Sequence, residues 1–454
     1  MEITKEQIDD LNALIRIRVE EQDYTESVEK AIKNLKNKVA IPGFRPGMVP
    51  AGMIRKMYGK AVLSDEVSKI TVDKLFRYLD ENKIEYLGNP LPNAEKNNVD
   101  WDAQKEFEFY YDLGLSPKFA VVLPSDKKFT HFQVEVDPAV VAEEVEKLRI
   151  RYGRSINAET VEEKDMVMGT LTELNEDGTE KEGGLSKPSY IILDKIEDDA
   201  TRQLLTGKKT GDEVILDPRK AYKDNLTVSI YLGIKPEEVD QISHQFKLTI
   251  QTISRLVPAD MDQEFFDRVF GRDVVHNEEE FRSKVAEVLK FDLQQESNAR
   301  LMNEIRDAVL AATQFELPDN FLKRWIKVKN AEDKNFNPDT VDDEYNKGRE
   351  LIRWELIRKQ VAEQNNIQVQ HEEMMNEARR MVINRVQQMG YTLPEDRVDE
   401  LANRLLASNE ERDKIVTNII EVKVLEYIKS QLDIKPEPIG YNVFLEKLNI
   451  QANV

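Results

Sequence analysis

The chain has 454 residues, room for about three domains, and carries a formal net charge of −21. With 33% charged and 7% aromatic residues and a mean hydropathy of −0.57, it has much surface per unit of core, as elongated helical proteins do. The acidity argues against coating of free nucleic acid, which requires Lys and Arg contacts, and the absence of cysteine excludes disulfides, thiolate catalysis and thiolate-bound metal.

The first ten residues lack the basic start and apolar run of a signal peptide, and no stretch has the length of a membrane span. A soluble cytoplasmic protein with no membrane partner is therefore expected. Residues 14–20 alternate, with Ile15, Ile17 and Val19 on one face, which predicts a half-buried strand. Tyr24, Val28, Ile32 and Leu35 then recur at helical spacing, with Lys30, Lys33, Lys36 and Lys38 on or near the opposite side and the last turns. Helices are predicted over 51–58 and 61–82. A returning strand over 105–115, alternating through Phe107, Phe109 and Tyr111, completes an α+β domain at 1–118.

Residues 129–136 alternate again, and Asp137-Pro138 opens a helix with Val141, Val145, Leu148 and Tyr152 on one side, so 119–157 is read as a linker strand and helix. From Glu162 onward, short apolar runs separated by turn signals predict a small β-rich domain over 158–255, closed by a strand at 246–253. Beyond Pro258 the pattern is helical, over 278–312, from Leu317 onward, and over 344–364, 372–389, 398–406 and 410–432. The heptads are too short for one coiled coil, so 256–454 is expected to be all helical and to form separate arms.

Residues 30–60 hold eight Lys or Arg and no Asp or Glu, a basic island in an acidic chain. At its centre residues 41–50 read I-P-G-F-R-P-G-M-V-P. The prolines and glycines interrupt helix and strand, which places Phe44 and Arg45 at the tip of a stiffened loop. A guanidinium offers a planar fork to phosphate or carboxylate, and Phe can bury or stack against a partner, a pairing suited to a ribonucleoprotein surface. The alternative is a tight turn with Phe44 folded back into its own core.

No Walker loop, dinucleotide glycine fingerprint or G-x-S-x-G elbow occurs. The four histidines are scattered, and His371-Glu372 meets Met375 where a second zinc ligand would stand, so no metal and no other cofactor is expected. Met374, Met375, Met381 and Met389 share one helical stretch, either as core filling or as an adaptable apolar surface.

Gly43, Phe44, Arg45, Gly47 and Pro50 match, at identical spacing, the G-F-R-x-G-K-x-P ribosome-binding loop of the trigger factor family. The chain resembles these bacterial ribosome-associated chaperones along essentially its whole length, with Met48 where the pattern has Lys. Residues 262–271, D-Q-E-F-F-D-R-V-F-G, look like the opening of the family's C-terminal domain. The middle segment resembles the family's FKBP-like peptidyl-prolyl isomerase domain through V-E-E-K-D-M-V at 161–167, T-G-K-K-T-G-D-E at 206–213 and A-Y-K-D-N-L at 221–226. Thr170 and Leu171 stand where the family has an acidic-aromatic pair, 198–205 replace its P-G-F-E-like turn, and 231–243 read as an insertion. Tyr222 remains the one candidate pocket aromatic.

The resemblance implies a multidomain α+β architecture: a ribosome-binding domain, a small FKBP-like domain and an elongated helical region with arms. It implies docking on the large ribosomal subunit near the exit tunnel through Gly43, Phe44, Arg45, Gly47 and Pro50. Nascent or unfolded polypeptides would be bound without ATP and a homodimer would form off the ribosome; the four methionines are candidate substrate contacts, with core filling as the alternative. Proline isomerisation needs an apolar, aromatic-lined pocket that favours the twisted amide, so loss of that lining predicts little catalysis. An active isomerase in the middle domain and a helical interaction protein that never touches ribosomes stay open as alternatives.

Overall fold

The structure, a computed structural model, describes residues 1–39, 49–334, 336–391 and 393–452. It divides into two units, one of residues 1–130 and 300–435, the other of residues 131–299 and 436–454.

The first unit begins with β1 (Glu2–Gln7), β2 (Asn12–Val19), α1 (Glu21–Lys38), α2 (Ala51–Glu81), β3 (Leu91–Pro92) and β4 (Phe107–Gly114). The strands form an antiparallel sheet in the order β1-β2-β4-β3. Ile15 faces Tyr111 and Ile17 faces Phe109 across the ladder, and this apolar side packs on Val67, Leu75 and Leu79 of α2. On the other side Arg16 and Arg18 pair across strands with Glu108 and Glu106. The two helices expected over 51–82 are one. Gly59 costs a helix interior about 1 kcal/mol relative to Ala, and burial of Ile54 before it and of Val67, Leu75 and Leu79 after it outweighs that. Strand β1 was not expected: at the sheet edge it buries no residue, so its sequence carries no apolar alternation.

The chain continues through β5 (Phe129–Glu135), α3 (Pro138–Arg151), β6 (Arg154–Asn157), β7 (Met166–Glu173) and β8 (Ser186–Ile192). There follow α4 (Asp199–Leu205), β9 (Glu213–Leu216), α5 (Pro218–Ala221), α6 (Asn225–Leu232), β10 (Phe246–Val257), α7 (Gln263–Phe270) and α8 (Glu278–Ala312). A sheet in the order β6-β10-β7-β8, with β9 also paired to β10, forms the small β-rich domain of the second unit. Val167, Leu171, Ile191, Phe246, Leu248, Ile250 and Ile253 make its core, joined by Val228 and Leu232 of α6. Helix α3 starts on Asp137, whose carboxylate accepts from the N–H groups of Ala139 and Val140, and buries Val141 and Val145 against Phe265, Phe266 and Phe281.

Helix α8 ends in the first unit, where α9 (Asp319–Lys329), α10 (Val341–Gln364), α11 (His371–Gln388), α12 (Glu395–Ala407) and α13 (Asn409–Ser430) follow. Leu301, Ile305, Val309, Trp354, Ile357, Val361, Val424 and Ile428 form the helical core. Residues 119–123 lie on this core: Phe119 stacks on Phe315 at 4.0 Å, the Val122 N–H donates to Thr313 Oγ1 and Gln360 donates to the Phe119 carbonyl. Arg353, buried, donates to the carbonyls of Leu310 and Thr313 and so caps the end of α8. The chain closes with β11 (Ile434–Gly440), which pairs with β5, and α14 (Tyr441–Ala452). The expectation of an all-helical C-terminal segment misses β11, whose Pro436 and Pro438 read as coil and whose residues are mostly exposed.

Candidate functional site

The basic island sits on α1 and α2. Gly43, Phe44, Arg45 and Gly47 lie outside the described residues, which end at Val39 and resume at Val49. Val49 is fully buried with Ile32 of α1 and Ile54 of α2, inside a sleeve of Val28, Leu35, Tyr58 and Val62. Pro50 is the N-cap of α2 at φ −58°, and its carbonyl accepts from the N–H groups of Met53 and Ile54. Lys30, Lys33, Lys38 and Lys56 are exposed and have no carboxylate partner among the described residues; Arg55 pairs with Glu29 at 3.3 Å, and Lys60 pairs with Asp102. Met53 and Met57, one turn apart beside Arg55 and Lys56, are 40% and 53% exposed. The sequence reading passed over this pair; its i, i+4 spacing inside the basic stretch was the available signal.

In the β-rich domain Tyr222 follows α5 and is 3% exposed. Its ring stacks on Tyr231 of α6, with centroids 4.4 Å apart and planes within 5°, and Tyr231 meets Tyr190 of β8 edge-on at 5.4 Å. The Tyr222 hydroxyl has no hydrogen-bond partner among the described residues, and burial, reinforced by neighbouring Tyr231, pushes it far above the ordinary phenol range. Helix α6 is held to the edge strand β8 by Ser189 Oγ, which donates to the Tyr231 carbonyl at 2.6 Å, and by Lys187 Nζ, which donates to the Gly233 carbonyl at 3.1 Å. Leu171 points into the core, and Thr170 on the opposite side of β7 accepts from Gln251.

Two buried carboxylates in this domain serve the fold. Asp165, 1% exposed at its side chain, accepts from Arg255 Nε and Nη2, both at 2.8 Å. Glu173 accepts from Lys181 and from the N–H groups of Leu185 and Ser243. Burial raises both, but these bonds outweigh it and hold each below its ordinary carboxylate range.

The four methionines divide. Met374, Met375 and Met381 are half-buried around Ala378, Ala402 and Ile415, the core shared by α11, α12 and α13. Met389, beyond the end of α11, is 62% exposed, as are Tyr391 at 69% and Ile383 at 41%. Between α11 and α12 a groove of about 370 Å³ is lined by Ile383, Val386, Tyr391, Leu393 and Val398 and by the Arg379–Asp399 pair. Among the described residues no group of His, Asp or Glu is placed to hold a metal ion, and no helix is long and apolar enough to cross a membrane.

Three family models match in order along the chain: a bacterial trigger factor protein model over 1–148, a probable trigger factor FKBP-like domain over 155–258, and a probable trigger factor C-terminal domain over 297–448. The trigger factor of Chlorobaculum tepidum is 24% identical over 435 residues, spanning 92% of this chain and 93% of its own. That of Chlorobium limicola is 25% identical over 448 residues, spanning 96% and 97%. A solved trigger factor chaperone structure covers 94% of this chain and 99% of its own at 17% identity and a TM-score of 0.45, an overlay too loose to carry an argument.

Proposed function

We propose, from the premise that this chain belongs to the trigger factor family of chaperones, that it acts in the cytoplasm without ATP. It docks on the large ribosomal subunit near the exit tunnel and holds nascent or unfolded polypeptides. In this proposal residues 1–118 dock, 119–157 link, 158–255 form the FKBP-like domain and 256–454 bind clients.

The observation that carries the docking is the loop stem. Buried Val49 and N-capping Pro50 fix the α2 end of the segment that joins two helices, beside which Lys30, Lys33, Lys38 and Lys56 are exposed with no carboxylate partner among the described residues. Gly43, Phe44, Arg45 and Gly47 fall within that segment. Charge draws such a tip to a polyanionic surface, and the stiff stem keeps the entropy lost on docking small. Ribosome cosedimentation of the full chain tests the proposal; a chain that stays in the supernatant at low salt overturns it.

For client contact, Met389 with Ile383 and Tyr391 offers an apolar surface at the end of an arm, while Met374, Met375 and Met381 belong to the arm's own packing. Weak patches of this kind sum over several contacts and release without nucleotide. The same surface supports homodimerisation when no ribosome is bound. The stacking of Tyr231 on Tyr222 supports an FKBP-like domain without isomerase activity, because the aromatic face a prolyl ring would need is covered.

A further inference from the structure

Helix α9 faces the N-terminal domain with Phe321 and Trp325, and that domain meets each with a glycine, Gly114 at the end of β4 and Gly88 in the bend before β3. A Cβ on Gly114, in β4, would overlap the Phe321 ring; on Gly88, where φ is +71°, it would stand 3.0 Å from Trp325 Cγ and Cδ2. Phe321 is 2% exposed and shares a buried cluster with Leu91, Leu317 and Leu322. One turn position away, Arg324 Nη1 reaches Asp112 Oδ2 at 2.8 Å, and the other oxygen of Asp112 accepts from Asn93 at 2.8 Å. From behind, α10 braces the helix: the buried Tyr345 hydroxyl donates to Asp319 at 2.5 Å.

Beyond Trp325 the surfaces part around a cavity of about 980 Å³ lined by Tyr86, Leu87, Trp325, Leu356 and Ile367, bridged at 2.8 Å by the half-exposed Lys359–Glu85 pair. The joint is therefore narrow. Domains of one chain move relative to each other unless their interface is extensive or closely packed. Here close packing rests on two aromatic side chains, each set where a side chain is missing, and on Leu91 in the same buried cluster.

We infer that Phe321 and Trp325 are positioning residues: seated on Gly114 and Gly88, they fix the N-terminal domain on the helical half and set where α1 and α2 stand relative to α11 and α12. This deepens the docking proposal and takes from it the meaning of the α1–α2 pair; the seat itself follows from packing alone.

The chain has no cysteine, so Asp73→Cys on α2 and Glu372→Cys on α11 accept a pair of spin labels in the full-length protein. A single narrow distance peak is expected. Gly114→Ala should lose that narrow peak by pushing Phe321 off its seat, and adding Phe321→Leu, which shortens the intruding ring, should restore it. Trp325→Ala leaves the sheet untouched and should also broaden the peak, so a Gly114 variant that fails to fold does not decide the matter alone. A peak that stays narrow in Trp325→Ala, or a Gly114→Ala peak that Phe321→Leu does not restore, overturns the inference. Cosedimentation of the unlabelled variants separates the two claims: Trp325→Ala should keep ribosome binding while losing fixed geometry, whereas failure of the docking proposal removes binding from the parent chain and leaves its narrow peak intact.

Discussion

Tyr231 lies flat on Tyr222, 4.4 Å from centroid to centroid, and leaves the hydroxyl of Tyr222 buried with no bonding partner among the described residues. Helix α6 thus covers one face of the Tyr222 ring. The full chain is expected to isomerise proline peptides at the uncatalysed rate, and turnover that an FKBP ligand blocks would contradict this. Because an unsatisfied buried hydroxyl is costly, Tyr222→Phe should raise the stability of the domain by about 1 kcal/mol in thermal unfolding.

The loop makes a separate prediction. On the proposal that Phe44 and Arg45 form the docking tip, Phe44→Ala with Arg45→Ala should abolish cosedimentation with ribosomes while leaving the melting profile unchanged, since surface substitutions cost about 0.5 kcal/mol or less. Binding by the parent chain should weaken as salt shortens the screening length to about 8 Å at physiological ionic strength. Full cosedimentation of the double variant removes these two residues from the interface.

At the arm, Ile383→Ser, Met389→Ser and Tyr391→Ser together should reduce suppression of client aggregation, followed by light scattering without nucleotide. Met381→Ser should instead lower stability, by about 2 kcal/mol, because that side chain packs on Ala378, Ala402 and Ile415. Equal protection by the triple variant and the parent would place client contact elsewhere.

Acid should act first on the β-rich domain. Asp165 and Glu173 are held below their ordinary values in the folded chain. The stability they contribute is complete above the unfolded-state values, near 4, and is lost as pH falls through the lower folded-state values. Asp165→Asn removes one of the two carboxylates that hold Arg255, which keeps Glu162 at 2.8 Å, and should cost about 2 kcal/mol at neutral pH, while flattening the fall in stability between about pH 5 and 2 in denaturant titrations.

Elements that bury one face were legible in the sequence. Strands β2 and β4 alternate through Ile15, Ile17, Phe107 and Phe109, and α8 was anticipated at its observed bounds because its apolar spacing is sustained. Edge strands β1 and β11 were not, since an edge exposed on both faces has no periodicity to find and β11 contains two prolines. At the candidate site the basic stretch was plain, as a local excess of charge always is. Tyr231 drew notice only as the first residue of a stretch read as an insertion, because its contact depends on a ring nine residues away folding beneath it. The seat of Phe321 on Gly114 left no local trace: a glycine in a strand and a phenylalanine in a helix are each unremarked until the fold brings them together.

That seat also sets a timetable. Asp112 and Arg324, which flank it, are 212 residues apart in the chain. At synthesis rates of about 5–20 residues per second, the N-terminal sheet leaves its own ribosome roughly 10 to 40 s before α9 exists to cover it. During that interval Leu91 and the bare backbone at Gly88 and Gly114 face solvent beside a finished sheet. Each newly made copy thus passes through a stage in which it presents the kind of uncovered surface that a chaperone of this family would meet in its clients.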